Sequence, residues 1–180
     1  MDNGEKVELL SVAIDMQGSQ VVKPYLEEAK TTFVTVVDEE NKFSREFGFK
    51  RIPNGYFIEP DLTVTYSKTG GFDIRSPEIL KKTQKWVRMS GDSEGQFVSP
   101  IVEEINAEAE PFMNSGLNLY QEGKKEEAIV EWRQAVNLDP ENLTIRKQIW
   151  AIMNPDKFYD GEIDFHWQSR QFSAEGVDGK

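Results

Sequence analysis

The pattern of apolar and polar positions changes character about halfway along the chain. Before residue 90, short runs rich in β-branched residues alternate with segments that carry apolar residues at helical spacing. The runs predict strands at residues 7–15, at residues 31–38 and on both sides of a turn at Glu59-Pro60-Asp61. With the three helical segments that separate and follow them, they give the order β-α-β-α-β-β-α, which predicts an α/β fold.

Capping and turn residues mark the ends of the three predicted helices. Ser19 is placed to cap the first helix, and Gly48 to end the second. Ser76 and Pro77 supply a cap and a proline at the first helical position of the third helix. The second helix therefore ends just before residues 50–55, which read KRIPNG.

After a polar, glycine-containing stretch at residues 91–100, the strand signals disappear. Two amphipathic helices follow, broken at Gly123, and a third lies between Pro140 and Pro155. The aromatic-rich segment up to Phe172 is expected to pack, and the small polar residues after it to be loose. We therefore predict a first domain at residues 1–90, a linker at 91–100, a helical segment at 101–172 and a flexible tail at 173–180.

Composition narrows the classes of function. The net charge of −11 and the pI near 4.7 disfavour binding to nucleic acid or to anionic membrane surfaces, because both need clustered Lys and Arg. No apolar run approaches the roughly 18 residues that cross a bilayer, and the first residues do not resemble a signal peptide, so we expect a soluble protein of unknown compartment. The chain has no cysteine, which excludes disulfides, thiolate metal sites and thiol catalysis by the chain itself.

Four stretches occur in order over residues 7–87: VELLSVAID, TFVTVVDEENKFSREFGF, RIPNGYFIEPDLTV and EILKKTQKWV. In order and spacing they resemble the thioredoxin-like fold, specifically the TlpA/ResA-type redoxins. The resemblance implies a cis peptide bond between Ile52 and Pro53, in a loop that can pair with an extended peptide. Arg51, Ile52, Pro53 and Asn54 are accordingly the candidate peptide-binding residues, and a purely structural turn is the alternative.

Two parts of that family's pattern are missing from this chain: the Cys-x-x-Cys helix and the strand before it. In the fold that the chain resembles, that strand lies in the middle of the sheet, so the resemblance implies an incomplete thioredoxin-like sheet. A missing central strand leaves two rows of backbone N–H and C=O groups without partners. The slot can be filled by a segment preceding Met1, by a strand from a second copy, or by direct pairing of the neighbouring strands.

The helical segment carries a second set of matched positions. Counted from Ala109, the small, aromatic and proline positions of a tetratricopeptide repeat are occupied by Gly116, Gly123, Ala128, Trp132, Ala135 and Pro140. The segment resembles one such repeat, although Ser115 stands where leucine is usual and the Leu119-Tyr120 pair is offset by one position. About three repeats are normally needed for stability, so this hairpin must pack on the third helix, the tail or the first domain.

Other polar residues have simpler interpretations. Residues 15–18 end the first predicted strand at an edge where α/β proteins tend to bind ligands, but a glycine turn is expected there in any case. His166, between two aromatic residues, is expected to be a packed or hydrogen-bonded ring and not a general base or ligand. Four carboxylates surround Gly161 without the spacing of an EF-hand, which favours an acidic loop over a calcium site; they are Asp156, Asp160, Glu162 and Asp164. We predict no catalytic residue, no metal and no cofactor.

These observations favour a redox-inactive thioredoxin-like and tetratricopeptide-like protein that binds a protein or peptide partner or assembles with itself. We expect a homo-oligomer, with exchange of strands between copies as one route. The alternative is the C-terminal part of a TlpA-like thiol–disulfide oxidoreductase whose cysteines lie before Met1. A third class, an enzyme that uses carboxylates or His166, needs a metal requirement or a pH optimum near a histidine pKa in its support.

Overall fold

The computed structural model describes residues 7–89 and 104–177. These residues form four strands, seven α-helices and one short 3₁₀ helix. In chain order they are β1 (Leu10–Ala13), α1 (Ser19–Ala29), β2 (Val34–Val37), α2 (Lys42–Phe47), β3 (Gly55–Ile58), β4 (Val64–Lys68), α3 (Pro77–Met89), α4 (Glu110–Gln121), α5 (Lys125–Leu138), α6 (Leu143–Met153), the 3₁₀ helix Pro155–Lys157 and α7 (Phe165–Ala174).

The predicted mixture of strands and helices, and their order along the chain, is confirmed. The strands are shorter than the sequence predicts, since the run at residues 7–15 forms only four residues of strand. They lie in two separate two-stranded sheets, β1 with β2 and β3 with β4.

The predicted cap of α1 is wrong. Ser19 is the first residue of the helix, and Gly18 precedes it with a φ of 91°, a left-handed value that favours glycine. The backbone N–H of Ser19 donates to the Glu39 carboxylate at 3.2 Å. A carboxylate from a later segment thus binds the first N–H group of α1, which is not one of the N–H groups that a capping serine at residue 19 would bind.

Contacts divide the chain into two compact units. The first comprises Met1–Leu10 and Arg51–Val102, and the second comprises Ser11–Lys50 and Glu103–Lys180. The predicted linker at residues 91–100 lies outside the described residues, as do residues 178–180 of the predicted tail. The assignment of each predicted domain to a family stays a prediction, because grouping by contact does not identify a family.

The first unit is built on the hairpin of β3 and β4. The strands are antiparallel, with Phe57 opposite Tyr66. Phe57 is buried, and its ring stacks on Trp86 of α3 at a centroid distance of 4.9 Å. The buried Glu59 carboxylate accepts hydrogen bonds from the Trp86 indole at 2.7 Å and from the Thr65 hydroxyl at 3.1 Å. One aromatic and one polar contact therefore hold α3 to the hairpin.

The turn of this hairpin holds a leucine in an unfavourable conformation. Leu62 N–H donates to Glu59 C=O, and Glu59 N–H to Thr63 C=O, both at 2.9 Å. Leu62 takes a φ of 69°, at the position where three-residue hairpin loops usually carry glycine. Its side chain is 82% exposed, so little packing offsets the backbone strain.

The second unit has its main core around α4, α5 and α6. Gly116 lies so close to the Trp132 ring that an added Cβ would come within 2.4 Å of it. Trp132 is fully buried, and its indole N–H donates to Met113 C=O at 3.2 Å. Ile145 of α6 and Met16 from the turn after β1 join the same cluster. The helical hairpin thus packs on the third helix and on Met16.

One side chain of α6 takes the place of a neighbouring strand at the end of β1. The side-chain oxygen of Gln148 accepts from Met16 N–H at 3.0 Å, and its amide nitrogen donates to Ile14 C=O at 3.2 Å. A carboxamide offers the same donor and acceptor as a peptide group, so it satisfies both backbone groups at once. Gln148 is only 7% exposed, which leaves water little access to replace these bonds.

A second set of bonds holds residues 49–50, at the other end of the segment formed by residues 11–50. The backbone N–H of Thr144 donates to Lys50 C=O, and its hydroxyl donates to Phe49 C=O, both at 3.0 Å. The Lys50 ammonium lies 2.9 Å from the Asp139 carboxylate, and both side chains are nearly buried. The start of α6 and the end of α5 therefore anchor residues 49–50, while Gln148 anchors residues 14–16.

We expect Leu62→Gly to raise the free energy of unfolding by about 1 kcal/mol, because it removes a side chain from a positive-φ position. Leu62→Ala is the matched control; it keeps Cβ and is expected to change that free energy by less than about 0.5 kcal/mol. Urea unfolding followed by tryptophan fluorescence measures both. Equal stabilisation by the two variants would show that exposure of the leucine, and not its backbone, is the cause.

We expect Gln148→Met to lower the free energy of unfolding by about 2–4 kcal/mol, because the buried N–H of Met16 and C=O of Ile14 lose their partners. Gln134→Met, at an exposed position of α5, is the control and is expected to stay within about 0.5 kcal/mol of the original. Hydrogen exchange supplies a local readout, since the Met16 amide should lose protection in the first variant only. Unchanged protection of that amide would argue against the bond.

Candidate functional site

The four predicted peptide-binding residues form the loop that leads into β3. The Ile52–Pro53 peptide bond is cis, as the resemblance implies. Pro53 C=O accepts a hydrogen bond from Phe72 N–H at 3.0 Å, and the side-chain oxygen of Asn54 accepts one from Gly70 N–H at 2.7 Å. Backbone groups of the turn at residues 70–72 therefore hold the loop in place.

The residue after this loop must be small. A Cβ added at Gly55 would lie 2.1 Å from the Phe72 ring, too close for any side chain unless the ring moves. Gly55 is buried, whereas Ile52 on the other side of the loop is 43% exposed. The loop is thus tightly packed at one end and presents an apolar side chain to solvent at the other.

β3 has one edge that pairs with β4 and another along which no strand pairs within residues 7–89 and 104–177. Apolar side chains are exposed at both ends of this stretch, since Ile58 is 51% exposed where β3 ends. Open strand edges and exposed apolar side chains are both features of surfaces that accept a strand from a partner. We call this surface the β3 edge and define it as Ile52, Pro53 and Gly55–Ile58.

The positions matched to the tetratricopeptide repeat lie in the interior of the second unit and in its turns. Gly123 takes a φ of 81° in the turn between α4 and α5, and Pro140 is exposed just after α5. The other four matched positions are buried: Gly116, Ala128, Trp132 and Ala135. The four buried residues therefore lie in the interior of the second unit, whereas Gly123 and Pro140 lie in its exposed turns.

A polar cluster lies just after β1, at residues 15–18. The Tyr159 hydroxyl donates to the Asp15 carboxylate at 2.8 Å, and the Gln17 side-chain amide donates to that hydroxyl oxygen at 2.8 Å. The backbone N–H of Gln17 donates to the other carboxylate oxygen of Asp15 at 2.9 Å. Sequence analysis missed Tyr159, because it lies 144 residues from its partner and nothing in its local pattern marks it.

Burial dominates the electrostatics of this cluster. Burial raises the pKa of Asp15, and the hydrogen bonds from Gln17 and Tyr159 only partly oppose that rise. Burial, reinforced by the charge of Asp15, raises the pKa of Tyr159 as well. The tyrosine therefore stays protonated near neutral pH and acts as a hydrogen-bond donor to Asp15.

The remaining predicted polar groups belong to the second unit. His166 is exposed in the first turn of α7, so the expectation of a packed ring is wrong. In the acidic loop, Asp156 pairs with Lys157 at 2.9 Å, and Asp164 caps α7 by accepting from Trp167 N–H at 2.8 Å. Among the residues that the structure describes, no group of three or more acidic or histidine side chains is placed to hold a metal ion, and no helix is long and apolar enough to cross a membrane.

The raised pKa of Asp15 predicts a specific pH dependence. Because the folded-state pKa lies above the ordinary value of 3.8, the native state loses stability as pH rises through the interval between the two values. Asp15→Asn has no such group, so the free energy of unfolding of the variant minus that of the original protein should increase with pH across this interval and then level off. Urea titrations at several pH values between about 3 and 7 measure this difference, in which the other carboxylates largely cancel. A difference that falls as pH rises would show that the hydrogen bonds outweigh burial.

The function of these surfaces is inferred from their geometry alone, because comparison with known proteins supplies no match. No protein-family model, curated protein or solved structure matches the chain. The resemblances to the thioredoxin-like fold and to the tetratricopeptide repeat therefore stay predictions.

Proposed function

We propose that this protein is a redox-inactive binding or assembly module, built from thioredoxin-like and tetratricopeptide-like parts, that adds a strand from a protein or peptide partner to the β3 edge. The observation that carries the proposal is the open edge of β3 with an exposed isoleucine at each end. A second copy of the chain is one such partner, as expected for a homo-oligomer. The absence of cysteine leaves the chain without a thiol for redox exchange, so its part in the complex is recognition.

Strand addition uses two kinds of contact at this surface. Backbone N–H and C=O groups of the partner pair with those of β3, which gives affinity with little dependence on sequence. Ile52 and Ile58 are each about half exposed, so covering them contributes on the order of 1 kcal/mol each. The spacing of the two side chains then favours partners with apolar residues at both ends of an extended segment.

The charge of the chain adds a preference among partners. A net charge of −11 slows encounters with acidic proteins and speeds encounters with basic ones at low ionic strength. We therefore expect partner segments that combine apolar residues with lysine or arginine.

The alternative is that the segment on the β3 edge, together with a Cys-x-x-Cys pair, precedes Met1 in a TlpA-like oxidoreductase. The intact mass of the endogenous protein separates the two proposals. A mass near 20.7 kDa supports the binding module. A mass several kDa higher, with thiols that react after reduction, supports the oxidoreductase.

The β3 edge is tested by placing a charge on it. Ile52→Lys and Ile58→Lys are expected to weaken partner binding about five- to tenfold each, because a lysine cannot be buried against an added strand without losing hydration. Self-association is measured by sedimentation velocity over a concentration series, and peptide binding by fluorescence polarisation with a panel of extended basic and apolar peptides.

The matched control is Leu62→Lys, which replaces an exposed apolar residue in the turn of the same hairpin, outside the β3 edge. It should leave both kinds of binding unchanged. The proposal fails if the original protein neither self-associates nor binds any peptide of the panel, or if Leu62→Lys weakens binding as much as Ile58→Lys.

A further inference from the structure

A cavity of about 570 Å³ lies between α5, α6 and α7, wholly within the second unit. This volume falls in the range of small-molecule binding sites in proteins. None of the residues that line it belongs to the β3 edge, so a ligand in this cavity would be independent of the proposed function.

One wall of the cavity is aromatic. Trp150 of α6 is buried, and its ring meets that of Trp167 of α7 edge to face, with a centroid distance of 5.8 Å and an angle of 83° between the planes. Ile149 lines the cavity beside them. Because Trp150 is only 5% exposed, the partly buried Trp167 offers the apolar surface against which a flat ring can pack.

One of the two arginines that line the cavity is already neutralised. Arg146 is only 6% exposed, and its guanidinium pairs with the Glu175 carboxylate. The second oxygen of Glu175 accepts from the Trp150 indole N–H at 2.9 Å. This pair therefore contributes no net charge to the cavity.

The second arginine has no such partner. Arg133 of α5 is exposed, and its guanidinium N–H approaches the Met153 sulfur at 3.5 Å. Within residues 7–89 and 104–177, no carboxylate forms an ion pair with it. Asn137, four positions later on α5, also lines the cavity and offers a side-chain amide near Arg133. The cavity thus carries one uncompensated positive charge in a chain whose net charge is −11.

We propose that this cavity binds a small aromatic anion. The ring system lies against Trp167, which Trp150 supports from behind, and the carboxylate, sulfonate or phosphate group lies on the Arg133 guanidinium, with the Asn137 amide as a second donor. Both elements are needed: the aromatic wall supplies the apolar contact, and Arg133 selects for negative charge.

Two dyes with nearly the same rings test the contribution of the aromatic wall and that of the Arg133 charge separately. The probe is 8-anilinonaphthalene-1-sulfonate, an aromatic sulfonate whose fluorescence rises in apolar surroundings, and the comparison is N-phenyl-1-naphthylamine, which lacks the sulfonate. The original protein is expected to bind the sulfonate at one saturable site, at least fivefold more tightly than the neutral amine. Arg133→Gln should weaken the sulfonate about fivefold and leave the amine unchanged. Arg170→Gln, at an exposed position of α7 that does not line the cavity, should change neither.

A second variant locates the dye. Gln171→Trp places a large ring in the cavity from α7 and should abolish binding of both dyes, while circular dichroism and cooperative urea unfolding confirm that the fold is kept. The proposal is overturned if the sulfonate shows no saturable binding, if the two dyes bind equally, if Arg133→Gln leaves the sulfonate affinity unchanged, or if Gln171→Trp binds the dyes as the original protein does.

Discussion

The stability of the second unit depends on the hydrogen bonds that the backbone at the end of β1 makes with α6. β1 pairs with β2 in a sheet of only two strands, and such a sheet is marginal by itself. The side chain of Gln148 supplies at residues 14 and 16 the donor and acceptor that another strand would supply. Because Gln148 belongs to α6, the same two bonds join the β-α-β-α segment to the helices. The hydrogen bonds of Thr144 and the ion pair of Lys50 with Asp139 connect the β-α-β-α segment to the helices at a second place.

Local structure could be predicted because its causes lie close together in the sequence. β-branched runs indicated the strands, helical spacing indicated the helices, and Gly48 at a left-handed φ ends α2 as expected. Ser19 shows the limit of this reasoning, because it is not the N-cap of α1 and its own N–H is bound by Glu39, twenty residues away.

No local sequence pattern predicts that residues 11–50 pack with the C-terminal helices. Gln148 and Tyr159 look like ordinary surface residues of a helix and a loop, yet each bonds with the end of β1 more than 130 residues away. The candidate sites differ in the same way. Residues 51–54 are contiguous, so the sequence could identify them as a group. The cavity takes its wall and its charge from three helices, and Arg133 resembles any exposed arginine until Trp150 and Trp167 are placed beside it.

The bond of Gln148 also sets an order of events during synthesis of the chain. Met16 leaves the ribosome 132 residues before the side chain that will satisfy its N–H. At roughly 5–20 residues per second, that interval lasts on the order of 7–26 s. Throughout it the first two strands lack α6, and Val34 and Val36, which remain exposed even in the finished fold, lie on one of them. The nascent chain therefore exposes unpaired strand backbone and apolar side chains, which favour aggregation, in the interval before α6 emerges.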